Sequence, residues 1–205
     1  MKMSVFEKKA GKFLEEVSSL MKKNTGFAFW ETLAQAETLL EKIPSKKLGK
    51  VEKNVIIQGK VFVCKGAVIK SGTRVEGNAF IGKGSVIGPN AFLRKAVLIG
   101  ENCHIGQSEV KNSVFLSHSN APHFNYIGDS VIGENVNLGA GTKIANLRHD
   151  NQNVKVKING TEVDSGRRKL GALVGNGTKT GVNSSINCGS IVPQNTKILP
   201  NEFYK

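Results

Sequence analysis

The chain has 205 residues and carries 29 Lys and Arg against 16 Asp and Glu, a formal net charge of +13 at pH 7. That length can bury one substantial core without covalent staples, which excludes a small stapled scaffold. The positive excess attracts anions, whether phosphorylated small molecules, acidic membrane or nucleic acid.

Residues 4 to 43 read as helical. Ser4 with Glu7 three residues later matches a capping box, and Phe6, Ala10, Phe13, Leu14, Val17 and Met21 recur at helical spacing. The segment KNTGF is expected to stop that helix at Gly26, and Leu33, Ala36, Leu39, Leu40 and Ile43 outline a second helix ending before Pro44. Together they form an appendage over residues 1–45, expected to dock on the body of the protein and cap its first coils. The lysine-rich PSKKLGKVEKN reads as a linker. The opening MKMSVFEKKAGKFLEEV has no continuous apolar stretch of the signal-peptide kind, and no apolar run is long enough to span a membrane, so no membrane partner is expected.

From residue 57 a different rule applies: Ile57, Val63, Ile69, Val75, Ile81, Ile87, Leu93, Ile99 and Ile105 fall in steps of six. Period six fits neither a helix nor an alternating strand and is the hexapeptide signature of a parallel β-helix, about three hexads to a coil. The same register then reaches Lys111, Ser117 and His123 where aliphatic residues are expected. It resumes at Tyr126, Ile132, Leu138 and Ile144, displaced by three residues as if by a local bulge, and returns at Val174, Thr180, Ile186, Val192 and Ile198. The gap at about 146–170 holds an alternating run, an Asn159-Gly160 turn signal and the basic cluster Arg167, Arg168 and Lys169, and reads as a loop or hairpin inserted between coils. The expected fold is mainly β: a parallel β-helix of about six coils over residues 46–205, preceded by a pair of α-helices. Cys64, Cys103 and Cys188 are odd in number and lack metal-ligand spacing, which points to a reducing, cytoplasmic setting without disulfides or a zinc ribbon.

The stretch VKNSVFLSHSNAPHFNYIGDSVIGENVNLGAGTKIANLRHD, followed by GRRKLGALVG, resembles the acetyltransferase half of the bifunctional glucosamine-1-phosphate acetyltransferase / N-acetylglucosamine-1-phosphate uridylyltransferase family, in its archaeal-type branch. The resemblance covers residues 50 to 200 and is densest from 109 to 175. It implies a left-handed β-helix, a homotrimer with active sites in clefts between chains, acetyl-CoA as co-substrate, no metal, and a phosphorylated amino sugar as acceptor. Through APHFNY it implies a catalytic role for His123 and a sugar contact for Tyr126. Through FLRK and EVKN it places Arg94 and Lys111 at the sugar phosphate. VNLGAGT carries over a sugar contact to Asn137 and a coenzyme contact to Ala140, IANL puts Asn146 at the coenzyme, and GRRKLG matches Lys169 to a substrate lysine. The sequence departs from the family where LRP reads LRK and where the later coenzyme-contacting coils and tail fall short. It has no Gly-rich nucleotide loop before a strand and helix, so no uridylyltransferase activity is expected.

These residue types suit the chemistry. An imidazole with an unperturbed pKa of about 6.5 can take a proton from an amine near neutral pH, although a lone histidine is more often a surface or satisfied core residue. Arg94 offers a planar fork and Lys111 a point charge to a phosphate, and either can also be a solvated rim charge. Small residues in NLGAGT allow close approach of a backbone N–H to a developing oxyanion, but every hexapeptide coil uses such turns. Two other readings remain. A noncatalytic scaffold or sugar-nucleotide sensor would keep the trimer and lose turnover. A zinc hydratase of the hexapeptide-repeat carbonic anhydrase kind would use His118 and His123, but its third ligand would fall at Gly82, and His104 is out of step. Nucleic-acid binding lacks a basic stripe interleaved with aromatics.

Overall fold

The computed structural model describes residues 4–23 and 27–205, so the expected helix stop at Gly26 lies outside the described residues. Helix α1 spans Val5–Lys22 and α2 spans Phe29–Glu41. The capping box is present: Ser4 Oγ accepts from the Glu7 N–H at 3.2 Å, and Glu7 Oε2 accepts from the Ser4 N–H at 3.2 Å. These bonds satisfy donors that the first helical turn leaves free. No described helix is long and apolar enough to cross a membrane.

The remainder is a parallel β-solenoid whose short strands stack coil upon coil along three flanks. On the first flank one ladder runs Lys47, Val63, Ile81, Ile99, Phe115, Ile132, Val174 and Val192, eight rungs, exposed at Lys47 and buried in the core from Val63 onward. The solenoid is therefore longer than the roughly six coils that uninterrupted hexads imply. Two segments account for the difference. The stretch read as a linker already belongs to the first coil, with Lys46–Lys47 pairing Phe62–Val63 and Lys50–Val51 pairing Val68–Ile69.

The other segment is the apparent interruption, which is regular coil. Its core is built by Ile105, Val110, Phe115, Ala121, Ile127 and Ile132, all fully buried. Three of those intervals are five residues instead of six, so three separate one-residue shortenings add up to the displacement that reads as a single bulge. Lys111, Ser117 and His123 consequently do not occupy aliphatic positions. Lys111 pairs in register with Arg94 and His123 with Gln107, both outside the core, while Ile127 rather than Tyr126 points inward.

The helices cover a flank instead of capping an end. The outward ladder of the first flank is apolar, with Phe62, Phe80, Leu98, Val114, Val131 and Leu173 buried against Phe6, Phe13, Val17, Phe29, Leu33 and Leu40. The rings of Phe6, Phe62 and Phe80 stack at 6.0 and 5.6 Å. A flank this apolar exposed to water would be a large unpartnered patch, and burying each such side chain is worth about 1.5–3 kcal/mol. Ser18 Oγ donating to Glu134 at 2.6 Å and Gln194 Nε2 donating to the Met21 carbonyl at 2.7 Å fix α1 on the later coils.

Where the third flank turns back into the first, successive coils place Gly59, Gly77, Lys95, Asn112 and Asp129 one above another, all at positive φ. Glycine tolerates that geometry freely, and Asn and Asp are the side chains most often found in it. On the next coil this corner opens into the insertion. Chain leaves at Asn146, forms the antiparallel hairpin Lys155–Ile158 and Thr161–Asp164, and returns where the Leu170 N–H donates to the Asn146 carbonyl at 3.0 Å.

Candidate active site

Arg94, Lys111 and Tyr126 stand on three successive coils of the third flank. Arg94 Nη1 lies 2.7 Å from Glu109 Oε1, and its guanidinium sits 5.4 Å from the Phe92 ring centroid. The hydrogen bond to Glu109 holds the Arg94 pKa above its ordinary value. Tyr126 is the next rung above Glu109. Burial raises its hydroxyl pKa and the Glu109 charge adds to the rise, against a lowering hydrogen bond with Asn146.

Lys111 Nζ is 2.6 Å from Asp129 Oδ2, with side-chain exposures of 10% and 2%. The same Oδ2 accepts from Asn146 Nδ2 at 2.7 Å, and Oδ1 accepts from Asn112 Nδ2 at 2.9 Å. Three donors around one buried carboxylate offset its desolvation, which an ion pair alone often fails to do. The corner explains the placement: at positive φ, Asp129 caps the strand just beyond Gly128, which pairs with Lys111.

His123 is exposed at the edge between the second and third flanks. Its main chain is held by buried Asn125, whose Oδ1 accepts from the His123 N–H at 3.2 Å and whose Nδ2 donates to the Gly139 carbonyl at 2.7 Å. Ala140 lies at the same edge one coil on, beside Gly141, whose N–H donates to the His123 carbonyl at 2.9 Å. Between His123 and Asn125, Phe124 is 62% exposed at a φ of +52°. A bulky residue there is strained, and Lys143 Nζ clasps its carbonyl at 2.7 Å.

The structure thus brings Arg94, Lys111, Tyr126 and Asn146 together, and places His123 with Ala140 at the neighbouring edge. Asn137 is on the second flank, exposed, in the ladder His104, Asn120, Asn137, Lys179. Lys169 is exposed at the root of the insertion, opposite Leu147. Burial, followed by the charges of Lys70 and His123, lowers the His104 pKa. His118 is exposed at another edge, at a φ of +64°. Among the described residues no three His, Cys, Asp or Glu side chains converge as a metal site.

The larger cavity, of about 770 Å³, lies between α1 and the solenoid and is lined by Gly11, Ser18, Cys64, Phe80 and Glu101 among others. Neither it nor a second of about 460 Å³ beside Phe62 includes a candidate residue. The candidate residues stand apart from both, on the third flank and the edge beside it, with Lys111 and Asn146 buried and His123 exposed. Sequence reading missed Asp129, Glu109, Asn112 and Asn125. Their importance comes from stacking between coils, and the shortened intervals hide that register in the sequence.

A family model described as the GMPPB C-terminal domain matches residues 75–201. The bifunctional sugar-1-phosphate nucleotidylyltransferase/acetyltransferase of Sulfurisphaera tokodaii is 52% identical over 157 residues, covering 76% of this chain and 39% of its own length. The bifunctional protein GlmU of Methanococcus maripaludis is 50% identical over 173 residues, covering 84% of this chain and 42% of its own. The chain spans about two fifths of the length of these curated relatives. Among solved structures, the acetyltransferase domain of PglB from Neisseria gonorrhoeae, in complex with acetyl coenzyme A, shares 18% identity with a TM-score of 0.37, covering 84% of this chain and 62% of that one.

Proposed function

The chain belongs to the GMPPB C-terminal domain family, and from its likeness to a sugar-1-phosphate nucleotidylyltransferase/acetyltransferase we propose that it transfers an acetyl group from acetyl-CoA to the amine of an amino-sugar 1-phosphate, glucosamine-1-phosphate or galactosamine-1-phosphate. The observation that carries this reading is the shared Asp129 oxygen: it holds Lys111, read as a phosphate contact, and Asn146, read as a coenzyme contact. One carboxylate sets the spacing of the two groups that would hold the two substrates. That relative's name, with its acetyltransferase half, supports the acyl-transfer class.

In this reading Arg94 and Lys111 bind the phosphate, with Tyr126, Asn137 and Lys169 as further acceptor contacts. The acceptor reacts as its free amine: the nitrogen lone pair attacks the thioester carbon, and the His123 imidazole takes the proton that the nitrogen loses as it becomes an amide. A C–N bond forms, the carbonyl oxygen gains negative charge, and its collapse breaks the C–S bond. The leaving sulfur recovers the proton from His123. In NLGAGT the amides of Asn137, Leu138, Gly139, Gly141 and Thr142 donate within the fold, so the Ala140 N–H is assigned to the oxyanion. The candidate groups lie on both sides of an open edge, which suits a homotrimer whose clefts are closed by neighbouring copies. A cytoplasmic setting follows from the same substrates.

The test is a coenzyme-A release assay across amino-sugar 1-phosphates with wild type and His123→Ala. Release with one of these acceptors, abolished in the variant, is the expected result. Absence of release with every amino sugar returns the chain to a noncatalytic scaffold, and full activity of His123→Ala removes the assigned base.

A further inference from the structure

Glu37 is on α2, outside the solenoid, yet its carboxylate reaches the candidate site by two routes. Oε1 accepts from Asn112 Nδ2 at 2.8 Å and from Arg167 Nη1 at 2.9 Å, and Oε2 faces Arg167 Nη2 at 3.4 Å. The Asn112 amide nitrogen also donates to Asp129 Oδ1 at 2.9 Å, and Asp129 in turn holds Lys111 and Asn146. A single amide group bridges two carboxylates on different elements.

The state of Asn112 shows that this bridge governs the local arrangement. Its Oδ1 is buried with no hydrogen-bond partner. Turning the amide over would set that oxygen against both acids and strip them of a donor, so the two carboxylates fix the orientation of the amide and leave its oxygen unsatisfied. Its backbone, at a φ of +48°, stands in the same corner column as Asp129.

The second route runs through the insertion. The Arg167 carbonyl accepts from the Val154 N–H at 2.9 Å, Lys169 lies opposite Leu147, and the Leu170 N–H donates to the Asn146 carbonyl at 3.0 Å. Anchoring Arg167 therefore anchors the outgoing and returning arms of the insertion, which leaves the solenoid at Asn146.

Resting on the acetyl-transfer reading, we infer that Glu37 is a positioning residue for the acceptor-phosphate site, acting through Asn112–Asp129 on Lys111 and through Arg167 on the insertion root. Helix α2 is then a component of the site as well as a cover for the apolar flank. Glu37 itself touches no reacting atom.

Steady-state kinetics on Glu37→Leu and Glu37→Gln, with glucosamine-1-phosphate and galactosamine-1-phosphate as acceptors, test this. Glu37→Leu is expected to raise the acceptor KM about tenfold with kcat held within about twofold, and Glu37→Gln, which keeps a neutral acceptor, to fall between it and wild type. A merely structural role would lower the amount of active enzyme and leave KM alone, and an unchanged acceptor KM in Glu37→Gln and Glu37→Leu overturns the inference. Hydrogen exchange separates this failure from failure of the function. Even in a chain that acetylates nothing, Glu37→Gln is expected to speed exchange at the Val154 and Leu170 amides while those of Val110 and Ile127 stay protected. Unaltered exchange at Val154 and Leu170 overturns the coupling itself.

Discussion

Asp129 and Lys111 meet across adjacent coils at 2.6 Å, one almost fully buried and the other nearly so, and the carboxylate of the pair also satisfies the Asn112 and Asn146 amides. Removing the acid strands a buried ammonium and two amide donors at once. Asp129→Ala is expected to cost about 3–5 kcal/mol in equilibrium urea unfolding, whereas the paired change Lys111→Met with Asp129→Leu costs much less because no charge is left behind. A double variant as unstable as Asp129→Ala would show that packing, rather than the stranded charge, sets the penalty.

His123 is exposed, and its backbone N–H and carbonyl are what tie it to Asn125 and Gly141. His123→Ala is therefore expected to leave stability within about 0.5 kcal/mol of wild type while acetyl transfer falls by about 10²–10⁴. Thermal unfolding and the coenzyme-release rate on the same preparation check both halves. A fall in activity matched by loss of folded protein would contradict the assigned role.

Glu37 gives a prediction in pH. Burial pushes its pKa up, but the hydrogen bonds from Arg167 and Asn112, helped by the charges of Arg167 and Lys95, outweigh that and leave it below the ordinary 4.5. A depressed carboxylate pKa contributes stability that is fully present above the unfolded value and is lost as pH falls through the folded one. The gap in unfolding midpoint between wild type and Glu37→Gln is thus expected to be constant near neutrality and to close in acid below 4.5. A gap independent of pH would place the effect of the substitution elsewhere.

Gly77 tests the corner geometry. Its φ is +123°, and a Cβ there would run into the Lys95 carbonyl on the next coil. Gly77→Ala is expected to destabilise by about 1–3 kcal/mol, read from the unfolding midpoint, and Gly11→Ala on α1 to stabilise by about 1 kcal/mol. Gly11 sits in a helix interior where an added Cβ meets nothing within 4 Å. Equal effects at the two glycines would contradict the close stacking at the corner.

The solenoid was legible because residues such as Ile69, Ile87 and Ile105 obey one simple spacing and all face the core. The capping box at Ser4 was legible because it is local. Register was not legible around the site. The five-residue intervals before Val110, Phe115 and Ile132 displace the core residue by one each time, so counting in sixes assigns Lys111 and His123 to positions they do not hold. The first coil was hidden by composition, since lysines at 46, 47 and 50 on its strands look like a solvated linker. Contacts such as Glu37 with Asn112, 75 positions apart, leave no periodic trace at all.

The corner that stacks Gly59, Gly77, Lys95, Asn112 and Asp129 keeps φ positive on every coil but changes shape along the solenoid: φ is +140° and +123° at the two glycines and +61°, +48° and +49° at the three residues that follow. A Cβ at Gly59 would run into the Gly77 carbonyl, as one at Gly77 would into that of Lys95. Only the later coils, in the left-handed region that asparagine and aspartate tolerate, have room for a side chain here. The polar seam therefore has a built-in beginning: a recognition group can be exchanged at 95, 112 or 129, whereas the two glycine coils before them are closed to one.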